Sequence, residues 1–354
     1  DNNNNVSNIE STVIKIDTTS PVISNVTNPY DNIWTNEKTF VSLTGIDESS
    51  GIDHYEILLD NSWVSEGIDI VDNKGVITFA ENMNETVSFR AVDKVGNISN
   101  EVTTTVKIDK DKPNQSFHLS SSTLGENNWY QSLSLNVSVS DDASGLLNSY
   151  YCFTTLESCE PDVNATISNG GYNVTFKTNE KPQKMCVNTL DNAGNNNLEC
   201  TDFYKVDTAN PTGALNAKLT ENNISLTVTA DDLGSKIDSY YYSKDGGKTY
   251  LSLTNSSYTF ASLEDGSYNL SVKVKDKAGR FSNVMSQTVV VAYQNTYVSS
   301  SGNDTSGNGS KNSPYETISR AYQQVKNGGN INVLSDITQS NQKLSIASKT
   351  VNLL

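Results

Sequence analysis

Apolar and polar residues alternate along most of the chain, and three of the runs share one layout. Their core-side columns read Val87, Phe89, Ala91, then Met185, Val187, Thr189, then Leu270, Val272, Val274, each followed two positions later by Asp93, Asp191 or Asp276. A period of two is the signature of a strand with one buried face. After each Asp comes a Gly-containing turn, Asp93-Lys94-Val95-Gly96-Asn97, Asp191-Asn192-Ala193-Gly194-Asn195 or Asp276-Lys277-Ala278-Gly279-Arg280, and then a second alternating run, which predicts a hairpin.

A second set of strands precedes these. Val41 and Leu43 lead to Asp47, Leu133 to Val139 lead to Asp141, and Ile224 to Ala230 lead to Asp232. Ser50-Gly51 and Ser144-Gly145 turn the first two, and the third is read as a shortened turn at Gly234. Boundaries come from a D-x-x-x-P spacing at Asp17 to Pro21, Asp109 to Pro113 and Asp207 to Pro211, with each proline at a strand's start, where a missing N–H does least harm. The expected division is 1–17, 18–108, 109–206, 207–291, a linker at 292–296, and 297–354. Unit lengths near ~100 residues and about seven strands each predict tandem immunoglobulin-like β-sandwiches. Residues 1–17 align without a gap on 93–109, with Asp1 on Asp93, Asn5 on Asn97, Ser7 on Ser99 and Asp17 on Asp109, so they read as the last turn and last strand of an upstream repeat.

These motifs resemble the bacterial immunoglobulin-like repeats of exported Gram-positive surface proteins. The resemblance rests on Asp47 to Gly51, Asp141 to Gly145, the hairpin Tyr242-Ser243-Lys244-Asp245-Gly246-Gly247 and the three Asp–Gly turns, and it covers residues 1 to 291. It implies an extracellular spacer or binding module. From Tyr297 the pattern changes to Tyr297-Val298, Gly302-Asn303-Asp304 and Ser313-Pro314-Tyr315-Glu316-Thr317-Ile318. A short helix follows, starting near Ser313-Pro314, with Ile318, Ala321, Tyr322 and Val325 on one face, and ending at Asn327-Gly328-Gly329. Short strands are expected at Ile331–Leu334, Leu344–Ile346 and Val351–Leu354. This stretch is similar to the N-terminal cap of right-handed parallel β-helix proteins, which implies that any groove of such a β-helix lies beyond residue 354.

Charge narrows the partners. The net charge of -16 over 354 residues, with Lys and Arg outnumbered and nowhere clustered, argues against nucleic acid. No apolar run is long enough to span a bilayer, and no basic-then-apolar leader opens the chain, so a signal and anchor are expected outside this piece. The reading is a monomer whose partner is a host or cell-surface glycan or protein. All four cysteines fall in the second repeat, and Cys152–Cys159 with Cys186–Cys200 is the pairing chosen among three connectivities, the other reading being four thiols. Oxidised pairs imply an extracytoplasmic home. Sequons such as Asn25-Val26-Thr27, Asn97-Ile98-Ser99 and Asn173-Val174-Thr175 follow from a chain rich in Asn, Ser and Thr, and no glycan is assigned.

Strand parity puts Asp47, Asp141 and Asp232 at the end of strand B, and Asp93, Asp191 and Asp276 at the end of strand F. The loops after B and F share one pole of an immunoglobulin-like sandwich, and the incoming linker brings Asp17, Asp109 and Asp207 to it. Three carboxylates then converge at each junction, a set of hard oxygens that suits Ca²⁺ as the one cofactor expected. The competing reading is that each Asp closes an Asx turn on backbone N–H groups. Tyr150, Tyr151, Tyr240, Tyr241 and Tyr242 straddle both faces of strand C; half must be core, and the rest form a candidate binding strip. No nucleophile elbow and no metal-spaced histidine is present, and adjacent pairs such as Asp141-Asp142 point to opposite faces, so no catalytic residue is assigned. The functional expectation is a non-catalytic spacer and presentation region of an adhesin-like surface protein. The alternatives are an accessory region of a carbohydrate-active β-helix lyase or hydrolase, and a glycan- or protein-binding module.

Overall fold

The computed structural model describes residues 6, 8, 10–72, 74–337 and 349–354. Asp1, Asn5 and Ser7 of the alignment and the expected strand Leu344–Ile346 lie outside the described residues. Packing divides the chain into two compact units. One is Asp1–His118 with Asn136–Asn173 and Met185–Thr201, and the other is Leu119–Leu135, Val174–Lys184 and Asp202–Leu354.

In the first repeat the strands are β1 (Val22–Thr27), β2 (Trp34–Thr35), β3 (Thr39–Ile46), β4 (Ile52–Leu59), β5 (Ser62–Val64), β6 (Asp69–Val71), β7 (Lys74–Phe79), β8 (Met83–Asp93) and β9 (Val102–Ile108). They form two sheets, β1-β3-β7-β6 and β2-β9-β8-β4-β5. That is the order of an immunoglobulin-like sandwich, with β3, β4 and β8 as strands B, C and F. Val41 and Leu43 from one sheet bury against Tyr55, Ile57, Val87, Phe89 and Ala91 from the other. Phe89 is fully buried, so truncating it to Ala should cost about 3–5 kcal/mol. Residues 10–20 carry no strand, and Val13, Ile14 and Ile16 are exposed, because a lone strand has no sheet in which to satisfy its backbone.

The second repeat contributes β10 (Asn114–Leu124), β11 (Trp129–Ser140), β12 (Leu146–Thr154), β13 (Val163–Asn164), β14 (Gly171–Thr175), β15 (Lys184–Asp191), β16 (Asn196–Cys200) and β17 (Lys205–Val206), with one 3-10 turn at Glu126–Asn128. Its sheets are β10-β11-β14 and β13-β12-β15-β16, and β17 runs parallel to the start of β11. Cys186 faces Cys200 across β15 and β16, and both expected disulfides, Cys186–Cys200 and Cys152–Cys159, are formed.

The third repeat has β18 (Thr212–Thr220), β19 (Asn223–Asp231), β20 (Ile237–Ser243), β21 (Leu251–Leu253), β22 (Ser257–Phe260), β23 (Gly266–Asp276) and β24 (Met285–Val291), in sheets β18-β19-β22 and β21-β20-β23-β24. Ile224, Leu226 and Val228 meet Tyr242, Leu270, Val272 and Val274 in its core. Each predicted core column is buried.

Beyond it, β25 (Tyr293–Val298), α1 (Ile318–Gln324), β26 (Val325–Val333) and β27 (Asn352–Leu353) follow, and the three strands pair parallel as β25-β26-β27. Asn330 Nδ2 donates to Asn295 Oδ1 (2.7 Å), and Asn352 Nδ2 donates to Asn330 Oδ1 (3.0 Å), a ladder of like side chains in register. The helix starts at Thr317, whose hydroxyl accepts the Arg320 N–H, rather than at Ser313-Pro314. It ends before Val325, earlier than the glycines suggested, because Val325 already pairs with Tyr293 as a strand residue. The Lys349 ammonium donates to the carbonyls of Tyr322, Gln323 and Val325, neutralising the helix C-terminus.

Candidate metal centre

The same two turns recur in all three repeats. Gly51, Gly145 and Lys236 have φ of 79°, 79° and 72°, and Gly96, Gly194 and Gly279 have φ of 96°, 95° and 88°. Asp232-Leu233-Gly234-Ser235-Lys236 is therefore not a shortened turn. It keeps the spacing of Asp47 to Gly51, with Ser235 where Ser50 stands and Lys236 held in the left-handed region that favours glycine. The turns are tied together, with Lys94, Asn192 and Lys277 N–H donating to the carbonyls of Gly51, Gly145 and Lys236 at 3.1, 2.9 and 2.9 Å.

These turns bring the nine predicted aspartates into three triads, Asp17/Asp47/Asp93, Asp109/Asp141/Asp191 and Asp207/Asp232/Asp276, with the candidate ligand atoms of each within 4.8 Å of one another. Asp109 N–H donates to Thr35 O (3.0 Å) and Asp207 N–H to Tyr130 O (2.9 Å), so the linker aspartate of the second and third triads is pinned to the preceding repeat. Within each triad the carboxylates also hold the loops. Asp47 Oδ1 accepts Ser50 and Gly51 N–H at 2.8 and 2.7 Å, and Asp93 Oδ1 accepts Val95, Gly96 and Asn97 N–H at 2.7 to 2.9 Å. The linker Asp reaches the serine of the B–C turn: Asp17, Asp109 and Asp207 Oδ2 accept Ser50, Ser144 and Ser235 N–H at 3.0, 3.0 and 2.8 Å. Both sequence readings therefore describe the same atoms, since the Asx turns are what aims the carboxylates at one another.

The third triad differs. In the first, Asn97 Nδ2 clasps Asp93 Oδ2 (2.8 Å) and the Asp17 carbonyl (3.3 Å); in the second, Asn195 Nδ2 does the same to Asp191 Oδ2 and the Asp109 carbonyl, both at 2.8 Å. Arg280 stands in that place in the third. Its Nε takes the Asp207 carbonyl (3.1 Å) and its guanidinium turns to Gln131 O (2.7 Å) and Asn210 Oδ1 (3.0 Å), leaving Asp276 Oδ2 buried without a partner. Asp232 Oδ1 is also buried and unpartnered, and Asp207, Asp232 and Asp276 are 0%, 3% and 0% exposed.

Electrostatics follow the hydrogen bonds. The Thr19 amide and Ser50 hold Asp17 below the usual carboxylate range. Burial pushes Asp93 up, but Asn97 and the turn amides outweigh it and the net shift is downward. In the third triad, burial first and then the Asp207 and Asp232 carboxylates push Asp276 up to about 6, against the pull of the Arg280 N–H, and burial likewise raises Asp232. The triad is a buried group of like charges short of donors.

The predicted tyrosines separate. Tyr242 is buried and Tyr240 packs against the third core, 6.4 Å away and stacked on it. Tyr241 lies on the other face beside Tyr250 and Phe281, with the Lys273 ammonium 5.4 Å from its ring. Tyr151 packs beside Tyr172, while Tyr150 takes the opposite face of β12. The residues that sequence reasoning missed are the clasps Asn97 and Asn195 and the serines Ser50, Ser144 and Ser235; their fixed spacing from the aspartates was the available signal.

No family model matches the chain, and no curated protein matches it. Among solved structures it is similar to three titin domains, with 13% identity over 77% of this chain and 99% of that one at a TM-score of 0.29. It is also similar to a bacterial ice-binding adhesin (14%, 77% and 98%, 0.34) and to immunoglobulin domains of Sidekick-1 (11%, 77% and 58%, 0.35). These likenesses carry nothing to the carboxylate triads, whose argument is their own geometry.

Proposed function

We propose that the chain is a non-catalytic, extracellular spacer whose repeats are locked end to end by Ca²⁺ at the three aspartate triads. The observation that carries this is the third triad, in which three carboxylates converge in a buried place and two of their oxygens have no donor. A Ca²⁺ ion with oxygens at 2.3–2.6 Å accepts ligand atoms up to about 5 Å apart, which accommodates the triads, and it satisfies buried oxygens that water does not reach. The ligand set contains no thiolate or imidazole, which favours a hard cation over zinc or copper. Each ion would join a linker, a B–C turn and an F–G turn, so binding is coupled to the order of the junction. Two disulfides support a site of action outside the cytoplasm, where Ca²⁺ is plentiful.

Calorimetric titration of the whole chain with CaCl₂, with thermal unfolding in Ca²⁺ and in EGTA, tests the reading. Saturable binding and a higher midpoint in Ca²⁺ are expected, because a ligand of the folded state alone stabilises it by mass action. No heat and an unchanged midpoint would leave the aspartates as turn formers only. For residues 293–354 the parallel register and the asparagine ladder support a second element of the proposal, that this stretch is the opening of a stacked β-helix rather than a fourth sandwich. Asn330→Asp, whose carboxylate cannot donate to Asn295, should lower hydrogen-exchange protection across 293–333, and unchanged protection counts against the stacking.

A further inference from the structure

A cleft of about 650 Å³ opens in the second repeat, where β12 and β13 on one side face β11, β14 and the turn 168–171 on the other. Its volume falls in the ~300–1,000 Å³ range of small-molecule sites. Twelve residues line it and none is charged, in a chain where 19% of residues are charged and the net charge is -16. Four of the lining residues, Asn136, Asn164, Asn169 and Asn173, carry side-chain amides, each able to donate and accept in one plane.

Two tyrosines complete the wall. The Tyr151 and Tyr172 rings lie 6.3 Å apart at 30°, and Phe153 braces Tyr151 edge-on at 5.9 Å. The site is built rather than incidental. Tyr172 Oη is bonded to the buried Ser149 hydroxyl (2.8 Å), and Asn136 Nδ2 donates to Tyr172 O and Asn173 Oδ1 at 3.4 and 3.3 Å. Asn169 and Gly170 sit at φ of 51° and 74°, which fixes the turn, and Gly170 O accepts the Val139 N–H (2.8 Å) to anchor it to β11. The Cys152–Cys159 disulfide ties the chain immediately after Tyr151.

We propose that this cleft binds an uncharged saccharide. Aromatic faces pack against the C–H side of a pyranose ring, while planar amides match pairs of neighbouring hydroxyls, and a wall without charge favours a neutral chain over an anionic one. The cleft is separate from the aspartate triads, so the spacer reading and this one stand or fall independently.

The test is binding of the whole chain to cellohexaose, mannohexaose, xylohexaose and galactohexaose, with hexagalacturonate as the anionic contrast, by ligand-observed NMR and calorimetry. At least one neutral hexasaccharide should bind with Kd of about 0.1–1 mM, and hexagalacturonate should not. Tyr151→Ala should weaken binding about tenfold, and Tyr241→Ala, in the third repeat, should leave it unchanged. Asn164 is exposed, so Asn164→Asp adds a charge to the wall without disturbing the core and keeps the test decisive if Tyr151→Ala misfolds; a several-fold loss is expected. Absence of binding to all four neutral hexasaccharides, binding indifferent to Asn164→Asp, or a preference for hexagalacturonate would overturn the proposal.

Discussion

Replacing Asp276 by Asn should reverse sign with calcium. Asp276 Oδ1 accepts the Arg280 N–H at 2.8 Å, a bond that an Asn oxygen keeps, while the unpartnered Oδ2 becomes an amide that can donate toward the orphan oxygen of Asp232. With its folded value about 6 and its unfolded value near 3.8, the stability Asp276 contributes is fully present below pH ~4 and is lost as pH rises through 6. The shift of about 2 units sets a ceiling of about 3 kcal/mol on the cost of the ionised group at neutral pH, and solvent screening brings this to roughly 1–2 kcal/mol. In EGTA at pH 7.5 the variant should therefore melt about 5–10 °C above the parent in the third repeat, and the gain should vanish at pH 4. In Ca²⁺ the order should invert, since at a hundredfold excess over Kd the parent gains about 2.7 kcal/mol and the variant has lost a ligand. Scanning calorimetry of the whole chain, with hydrogen exchange on peptides from 207–291 to locate the transition, reads both effects. A variant that is less stable than the parent in EGTA, or one that responds to Ca²⁺ as the parent does, would refute the reasoning.

Asn195→Ala removes the amide that holds Asp191 Oδ2 and the Asp109 carbonyl; it should cost about 1–2 kcal/mol in EGTA and enlarge the stabilisation by Ca²⁺, measured by thermal unfolding. Lys236→Gly relieves an L-residue at φ 72° and should raise stability by about 0.5 kcal/mol in urea titrations, because the exposed Glu180 partner it gives up is worth little; a loss above about 1 kcal/mol would mean that the ammonium supports Asp232. Serine at both Cys186 and Cys200, which close a 14-residue separation, should cost about 3 kcal/mol, and the pair Cys152 and Cys159, separated by 7, about 2 kcal/mol, both by chemical denaturation.

The sequence revealed what depends on short, regular spacing. The buried columns of β3, β8, β15, β19 and β23 were readable because one face of each strand must be apolar, and the aspartates could be placed because they continue those columns past the strand end. The disulfides were readable for the same reason, as Cys186 and Cys200 are equidistant from a turn. What depends on a side chain's choice of partner was not. Arg280 stands where the first two turns have Asn, and the spacing alone does not show that it keeps the carbonyl contact and gives up only the carboxylate contact. Of the cleft only Tyr151 was marked beforehand for binding, because much of the remaining wall comes from β13 and the turn 168–171, where no periodic apolar pattern marks a surface. Residues 10–20 kept the residues of a last strand without the sheet that would make them one.

That exchange at position 280 makes the three junctions unequal. In the first two triads an asparagine amide already bridges the linker carbonyl and the F–G carboxylate, so the loops are held by hydrogen bonds whether or not a cation is bound. In the third, arginine secures the linker carbonyl but leaves two buried carboxylate oxygens, Asp232 Oδ1 and Asp276 Oδ2, without a donor. The cations of this region are committed elsewhere, the guanidinium to Gln131 and Asn210 and the Lys275 ammonium to Glu126 at 2.9 Å. These bonds fasten the third repeat to the end of the second while leaving the triad uncompensated. On the proposed reading the third junction is held in place by arginine and lysine and completed by the cation, so chelation should loosen it before the other two. Hydrogen exchange resolved by repeat should then show protection in EGTA falling first around Asp232 to Lys236 and Asp276 to Arg280, and equal loss at all three triads would mean that the asparagine clasps contribute nothing.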